Sequence, residues 1–366
     1  MRSQQAFRAF CLLALVVLCG GMALPLAPAR GVTRTPRPAA GPPHPTPNPA
    51  PPSPSPSKAA DPPDAAELKK MHADELGVVP VVMYHRIVAK REQALDRTPK
   101  QLRADLVRMA KEDYVPVTAA DFVNGRIDVP AGKHPIVLTF DDSQPSQLAF
   151  DAHGRPKPDT AVGVLLDVAR HYPGFRPVAT MYVIAALPFQ EGGAGLMAHG
   201  RQALRWLVAH GFDVGNHTMH HSYFASASRK EARREIATAQ RRITDLAGTA
   251  PVTLAYPGGF PPKPLGLVAK GSADGASYHL SGAFLAGSNP SPSPYDADFP
   301  RYEIPRIRGQ LHAKDCDGMC LGSWLDRLDK KGSDRYTSDG DPAHIAYPKG
   351  SKVRLAKRFR AMARPY

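Results

Sequence analysis

The chain has 366 residues and a net charge of +14, because 47 Lys and Arg residues outnumber 33 Asp and Glu residues. Such a basic balance is compatible with nucleic-acid binding, but no nucleic-acid recognition motif accompanies it, so we expect no nucleic-acid partner. Beyond about the first thirty residues, no stretch is long and apolar enough to cross a membrane.

Residues 1–29 have the pattern of an export signal. A positively charged start precedes an apolar stretch at residues 10–26, and residues 27–29 (Ala-Pro-Ala) offer a small-x-small cleavage site. This pattern predicts a secreted or cell-surface protein. An uncleaved anchor stays open, because about 17 apolar residues are marginal for a membrane span. A lipoprotein at Cys19 is less favoured, because a leucine precedes it where a small residue is expected.

Residues 30–77 are expected to form a disordered linker. From about residue 33 to 63 the sequence is rich in Pro, Ala and Ser and shows no hydrophobic periodicity, so it cannot bury a core. In polyproline II form, about thirty residues reach up to about 90 Å. That length suits a domain held away from a membrane across a cell wall, although a processing remnant without a role is an alternative. Residues 78–366 are expected to form one domain with a basic C-terminal segment.

After residue 78, predicted strands and helices alternate. Helices with apolar residues at a period of 3.6 are predicted to begin at about residues 98, 159, 201 and 228. Strands are predicted at about residues 80–84, 134–140, 178–183, 212–216 and 253–257. Repeated β-α units over about 290 residues imply an α/β fold with one parallel sheet, closed or nearly closed into a barrel.

Two clusters of polar residues follow apolar strands. Asp141 and Asp142 end the stretch at residues 135–140, where carboxylates are costly to bury, and His217 and His221 follow a second such stretch. Two imidazoles and one carboxylate would leave a metal position open for water, as in catalytic zinc sites, and the other aspartate would be free to act as a base.

Each cluster alone has a simpler interpretation. Adjacent aspartates after a strand often cap the next helix, and histidines four residues apart are usually surface or satisfied core residues. The helical zinc-protease signature is excluded, because it requires Glu directly after the first histidine and Thr218 stands there. Together the two clusters favour a metal site.

At these residues the sequence resembles the polysaccharide deacetylases, the NodB-homology group of carbohydrate esterase family 4. The family motif T-F-D-D corresponds to residues 139–142, and the motif H-[ST]-x-x-H corresponds to residues 217–221. Residues 79–87 are similar to the opening strand of the branch that acts on poly-N-acetylglucosamine. Residues 179–183 are similar to the strand between the two metal motifs. The resemblance runs from about residue 79 to at least residue 308.

The resemblance implies a distorted, incomplete (β/α) barrel whose catalytic face lies at the C-terminal strand ends. It implies hydrolysis of N-acetyl groups on a hexosamine-containing polymer of cell-wall, biofilm or chitin-like type. Asp142, His217 and His221 would hold a divalent metal, most often zinc, with cobalt or nickel as alternatives, and Asp141 would be the base. A polysaccharide is then the expected partner, and the protein is expected to be a monomer.

The third family motif, R-x-P-[YF]-G, is altered. It corresponds to residues 255–259, with Ala255 in place of the arginine that steadies the catalytic aspartate. Arg306 is a candidate substitute. The first motif is followed by Ser143 instead of glycine. Neither change removes a metal ligand, but the missing arginine leaves open how the base is held.

Further site residues follow from the resemblance. Tyr256, Pro257 and Gly258 are expected at the substrate, with a backbone N–H near Gly258 facing the developing oxyanion. The leaving amine needs a proton, which His312 would supply in a partial match to the family's L-x-H motif. His85, at the tip of the first strand, is the alternative.

The C-terminal part carries two more features. Cys316 and Cys320 remain after signal removal and predict a disulfide in a secreted chain, with a metal site as the less favoured alternative. Residues 349–364 are rich in Lys and Arg, which for an exported protein favours attraction to an anionic cell-wall polymer or a membrane surface. A merely solvated helix face is an equally simple interpretation.

Two other functional classes stay open. An esterase that acts on O-acetylated polymers such as xylan would use the same site. A wall-binding protein with weakened catalysis is favoured by Ala255 and disfavoured by the intact Asp141, because binding alone does not require a base.

Overall fold

The structure is a computed structural model that describes residues 63–190, 196–287, 289–310, 316, 318–330 and 332–366. The predicted export signal, most of the predicted linker and His312 lie outside these residues. Within the described ranges, no helix is both long enough and apolar enough to span a membrane.

Helices and strands alternate along most of the chain. The α-helices are α1 (Ala65–Met71), α2 (Pro99–Lys111), α3 (Ala119–Asn124), α4 (Ala161–His171), α5 (Leu196–Ala209), α6 (Arg229–Ala247) and α7 (Leu321–Leu328). The strands are β1 (Val81–Tyr84), β2 (Tyr114–Val117), β3 (His134–Phe140), β4 (Thr180–Val183), β5 (Asp213–Asn216), β6 (Thr253–Ala255), β7 (Lys270–Ala273), β8 (Ala276–His279), β9 (Gly282–Phe284), β10 (Ile307–Arg308), β11 (Ile345–Tyr347) and β12 (Ala363–Pro365). Short 3-10 helices span Pro257–Gly259, Leu265–Leu267 and Lys357–Met362.

Eight of these strands form one parallel sheet. Its order is β10-β1-β3-β4-β5-β6-β9, and β2 pairs with β3 beside this path. The sheet is open and curls into a half-barrel. The prediction of an α/β fold with a distorted, incomplete barrel is therefore confirmed.

The sequence explains why the elements form where they do. All seven residues of β3 are buried, as expected for a parallel strand that is covered on both faces. Thr98 caps α2 by accepting a hydrogen bond from the Gln101 N–H, and Leu102, Leu106 and Met109 are then buried on one side of the helix. The predicted strands near residues 80, 134, 178, 212 and 253 and the four predicted helices are all present, with ends that differ by a few residues.

The folded region starts earlier than the boundary predicted at residue 78. Asp64 caps α1 in a capping box with Glu67, and Leu68 is only 1% exposed. The carboxylate of Glu75 accepts hydrogen bonds from the Tyr336 hydroxyl (2.9 Å) and the Ala346 N–H (2.8 Å). The assignment of residues 63–77 to the linker is thus wrong. The sequence did not indicate this, because the few apolar residues in this segment show no periodicity. In addition, the segment contacts residues that lie about 270 positions later in the chain, such as Ala346.

The basic C-terminal segment packs on the domain. Phe359 is buried, and Tyr295 contacts its ring edge-on at a centroid distance of 5.0 Å. Arg354 pairs with Asp298 at 3.0 Å. Part of the positive charge of the C-terminal segment is therefore paired within the fold.

The predicted disulfide is present, with the Cα atoms of Cys316 and Cys320 5.7 Å apart.

Candidate metal centre

The candidate site lies where the central strands of the sheet end. Asp141 and Asp142 directly follow β3, and His217 directly follows β5. Both strands pair with β4 and run parallel to it, so their carboxyl ends meet at the same edge. In parallel barrels this edge is the usual place for catalytic residues.

Asp142, His217 and His221 converge on one point. A ligand atom from each lies within 4.8 Å of the other two. The Nε2 atoms of His217 and His221 are 3.4 Å and 3.3 Å from Asp142 Oδ1. The structure therefore brings together the three residues that the sequence analysis assigned as metal ligands.

The hydrogen bonds around this cluster fit a divalent metal. His217 Nδ1 lies 2.9 Å from the Ala255 carbonyl oxygen, which can only accept, so Nδ1 carries the proton and Nε2 faces Asp142 with a lone pair. A metal-binding histidine is typically oriented in this way. Asp142 Oδ1 is buried and accepts no hydrogen bond from the described residues. A buried carboxylate oxygen beside two imidazole nitrogens is costly without a cation, and a metal would satisfy all three.

Asp141 pairs with Arg306 and is not one of the three converging residues. Arg306 Nη1 donates to Oδ1 and Nη2 donates to Oδ2, each at 2.7 Å, and both side chains are almost fully buried. Burial alone would raise the pKa of Asp141, but the charge and the hydrogen bonds of the Arg306 guanidinium lower it below the usual range. Asp141 is therefore ionised at neutral pH.

Arg306 is itself held by the sheet. Its Nε donates to the Leu285 carbonyl at 2.7 Å, and its Nη1 also donates to Thr139 Oγ1 at 3.1 Å. Its guanidinium carbon lies 5.8 Å from the ring centroid of Tyr182. A guanidinium with this many fixed partners has one orientation, so it fixes the carboxylate of Asp141 as well.

The backbone around the ligands is unusual. Asp142 (φ 78°), Ser143 (φ 47°), Thr218 (φ 68°) and His221 (φ 59°) all adopt the left-handed conformation. This conformation is unfavourable for residues with a Cβ and is concentrated at functional sites. It also explains why a glycine is usual in the family at the position of Ser143. Asn216 supports the second loop by accepting a hydrogen bond from the Thr218 N–H at 2.8 Å.

The buried Gln147 links His85 to Asp141. Gln147 Nε2 donates to the carbonyl of His85 at 3.0 Å and to the carbonyl of Asp141. Burial lowers the pKa of His85, although the nearby charges of Asp141 and Asp142 oppose this shift. His85 Nδ1 is buried and has no hydrogen-bond partner among the described residues. The sequence analysis missed Gln147, because a single Gln in a loop belongs to no motif.

The third motif contributes its backbone to the site. The Tyr256 ring is 1% exposed, and its hydroxyl donates to the Tyr302 carbonyl at 2.7 Å, so this side chain belongs to the core. Pro257 and Gly258 form the short 3-10 turn that follows, and Gly258 has a φ of 66°. Of the three predicted substrate-contacting residues, Gly258 is exposed, whereas Tyr256 and Pro257 are buried.

Comparison with known proteins identifies relatives of the central part of the chain. A family model described as polysaccharide deacetylase matches residues 128–271. No curated protein matches the sequence at a significant level.

Solved structures of deacetylases are similar to the chain. A polysaccharide deacetylase from Bacillus cereus has a TM-score of 0.49 at 21% identity, over 64% of this chain and 66% of that chain. The Streptococcus pyogenes deacetylase PplD in complex with acetate has a TM-score of 0.48 at 17% identity, over 67% and 98% of the two chains. IcaB from Ammonifex degensii has a TM-score of 0.48 at 18% identity, over 68% and 97%. The chain thus spans just under two thirds of the Bacillus cereus protein.

Proposed function

We propose that this chain, whose residues 128–271 match the family model of polysaccharide deacetylases, is a secreted, metal-dependent enzyme that hydrolyses N-acetyl groups on a hexosamine-containing polymer. One observation carries the proposal. The three potential ligands Asp142, His217 and His221 converge beside a fourth residue, Asp141, that is buried, ionised and held by Arg306. A binding protein has no need for such a carboxylate.

The three ligands are suited to zinc. Two imidazoles and one carboxylate with an open position are the donor set of catalytic zinc sites, and cobalt or nickel accept the same donors. When bound, such a metal would polarise the acetyl carbonyl and lower the pKa of a coordinated water. The buried His217 and the partly exposed Asp142 and His221 would hold it.

Asp141 would take the proton from the attacking water. Its low pKa keeps it ionised but also makes it a weak base, so the guanidinium of Arg306 contributes orientation more than basicity. The bidentate pair occupies one lone pair on each carboxylate oxygen and leaves the others available for a water proton. A fixed orientation of the base relative to the water contributes a large part of the rate enhancement of a hydrolytic enzyme.

The remaining roles fall to residues at the same rim. The Gly258 N–H would face the oxygen of the acetyl group as negative charge develops there. His85 would donate a proton to the leaving amine, because it stands close to both aspartates and its Nδ1 lacks a protein partner among the described residues. His312 remains the alternative acid.

Export and attachment are part of the proposal. The pattern of residues 1–29 supports secretion or display at the cell surface, where wall and biofilm glycans are accessible. The basic residues of segment 349–364 that stay exposed, among them Lys349 and Arg360, would favour anionic polymers or lipid headgroups near the substrate. The protein would act as a monomer.

The experiment is an acetate-release screen on purified protein of measured metal content. We expect release from N-acetylglucosamine oligosaccharides by the zinc-loaded protein, and none after chelation or in His217→Ala. Acetylated xylan serves as the competing substrate. Acetate release from xylan alone would replace the N-deacetylase assignment with O-acetyl esterase activity, and no release from any glycan would contradict the proposed function.

A further inference from the structure

Two exposed aromatic side chains meet at Gly258. Tyr223 is 55% exposed and Phe260 is 61% exposed, so each ring presents a large apolar surface to solvent. A Cβ added to Gly258 would lie 2.5 Å from Tyr223 Cε1 and 3.9 Å from Phe260 Cδ2. Only glycine leaves room for the Tyr223 ring at this point, and the two rings flank the same short stretch of backbone.

This aromatic pair adjoins the metal cluster. The ring of Tyr223 contacts that of His221 edge-on, with a centroid distance of 5.5 Å and an interplanar angle of 79°. His221 is the most solvent-exposed of the three potential ligands. A molecule whose reacting group occupied the metal site would therefore have the Tyr223 ring within reach of its neighbouring groups.

The local structure forces the Tyr223 ring outward. The next residue, Phe224, is buried and packs edge-on against Tyr256 at a centroid distance of 6.1 Å. The N–H and the hydroxyl of Ser226 donate to the Tyr223 carbonyl at 3.4 Å and 3.3 Å. Before Tyr223, the Ser222 N–H donates to Thr218 Oγ1 at 3.2 Å. The loop is thus anchored on both sides of Tyr223, and packing within the domain does not account for the exposed ring.

We propose that Tyr223 and Phe260 form a platform on which a pyranose ring of the polymer stacks, next to the sugar whose acetyl group is removed. The proposal rests on the proposed function. A hexosamine with equatorial substituents has an apolar face of axial C–H groups, and this face matches an exposed aromatic ring in shape and polarity. An extended or charged peptide has no such face. The platform would thus make the enzyme prefer oligosaccharides over single sugars and small acetyl compounds.

The test measures both binding and catalysis in zinc-loaded protein. For Tyr223→Ala and Phe260→Ala we expect the Kd for an N-acetylglucosamine oligosaccharide to rise about tenfold for each lost ring. The ratio of kcat/KM for the oligosaccharide to kcat/KM for a small acetyl ester should fall by a similar factor. Tyr223→Phe keeps the ring and should bind like the wild type.

The control is Tyr172→Ala, which removes a half-buried aromatic ring at the end of α4, the end opposite the site. It should change neither the Kd nor the ratio. Equal oligosaccharide affinity in wild type and Tyr223→Ala would overturn the platform, as would an equal loss in Tyr223→Phe. Failure of the proposed function looks different. Wild type would then bind the oligosaccharide through Tyr223 but release no acetate, whereas an absence of binding in wild type would overturn the platform itself.

Discussion

The guanidinium of Arg306 forms two parallel hydrogen bonds of 2.7 Å with the carboxylate of Asp141, although the two residues are 165 positions apart. The family motif supplies an arginine for this purpose from the end of β6, where this chain has Ala255. Here the arginine comes from the residue before β10. An arginine thus pairs with Asp141 although Ala255 stands at the motif position, so the altered third motif does not by itself indicate a decayed site.

Arg306→Lys should lower kcat by about a hundredfold, because an ammonium group cannot fix both carboxylate oxygens. Zinc content should stay normal, since Arg306 contacts no ligand atom of the cluster. Arg306→Ala should in addition lower the free energy of unfolding by about 3–5 kcal/mol, because Asp141 would remain as a buried, unpaired charge. Acetate release, metal analysis and denaturant unfolding measure these effects.

Arg308→Ala is the matched control, because Arg308 lies two residues further along and is exposed. It should leave kcat, zinc content and stability near wild-type values. Normal turnover in Arg306→Lys would show that the pair is structural and that Asp141 needs no fixed partner.

Asp141 and Asp142 should separate by role despite being neighbours. Asp141→Asn should keep zinc and lose activity by about a hundredfold or more, because the base is removed, and it should also lower the free energy of unfolding because the buried Arg306 loses its counter-charge. Asp142→Asn should lose zinc first, and excess zinc should partly restore its activity. Titration of each variant with zinc, followed by acetate release, distinguishes the two. Identical behaviour of both variants would show that this assignment of roles is wrong.

His221→Ala should lower zinc affinity by more than about tenfold and reduce activity with it. His220→Ala provides a control at the adjacent position, because His220 is exposed and its Nδ1 bonds Glu235 at 2.9 Å, away from the cluster. It should bind zinc normally. Competition with a chromogenic chelator gives the affinities. Equal zinc loss in both variants would mean that the loop, and not the ligand atom of His221, holds the metal.

The central strands and helices could be predicted because their sequence patterns are local. β3 is an unbroken apolar run, and Ser228 begins α6 with a side-chain hydrogen bond from the Glu231 N–H. β2 escapes such a prediction, because Pro116 interrupts its strand pattern. β9 and β10 are shorter still, and β9 begins with Gly282. Their pairing is decided by neighbours in the sheet and not by their own sequence.

The metal ligands could be predicted because two motifs carry them at fixed spacing. Arg306 could only be suggested, since no local pattern links it to Asp141. Gln147 and Tyr223 could not be found at all, because their roles depend on contacts made after folding. The Gln147 side chain donates to the carbonyls of His85 and Asp141. The Tyr223 ring fits in its place only because residue 258 is a glycine and has no side chain.

His134 should make the protein less stable in mild acid. Burial and the charge of Arg335 lower the pKa of His134 to about 4, although Asp113 and Asp329 act in the opposite direction. In the unfolded chain the pKa is about 6.5, so the unfolded state binds the proton more tightly. The contribution of the neutral His134 ring to the free energy of unfolding is therefore fully present above pH about 6.5. It decreases by up to about 3 kcal/mol as the pH drops towards 4.

His134→Asn tests this contribution. The asparagine amide can replace the Nδ1–H donor that lies 2.8 Å from the Tyr336 carbonyl, but it does not titrate. The loss of unfolding free energy between pH 7 and 4.5 should be smaller in this variant than in wild type. His171→Asn, which changes an exposed histidine, should keep the wild-type dependence. An unchanged pH dependence in His134→Asn would assign the acid sensitivity to other groups.

The N-terminal boundary of the domain can be tested by two deletions that differ by fifteen residues, from 63 to 77. Removal of residues 1–62 should leave a stable, zinc-binding protein, because α1 and its Asp64 cap are kept. Removal of residues 1–77 should cost roughly 3 kcal/mol or more, since Leu68 and Leu76 lose their burial and Tyr336 loses the carboxylate of Glu75. Thermal unfolding of the two proteins measures the difference, and Leu68→Ala in the full chain should reproduce part of it. Equal melting temperatures for the two deletion variants would show that residues 63–77 belong to the linker and that the domain starts at residue 78.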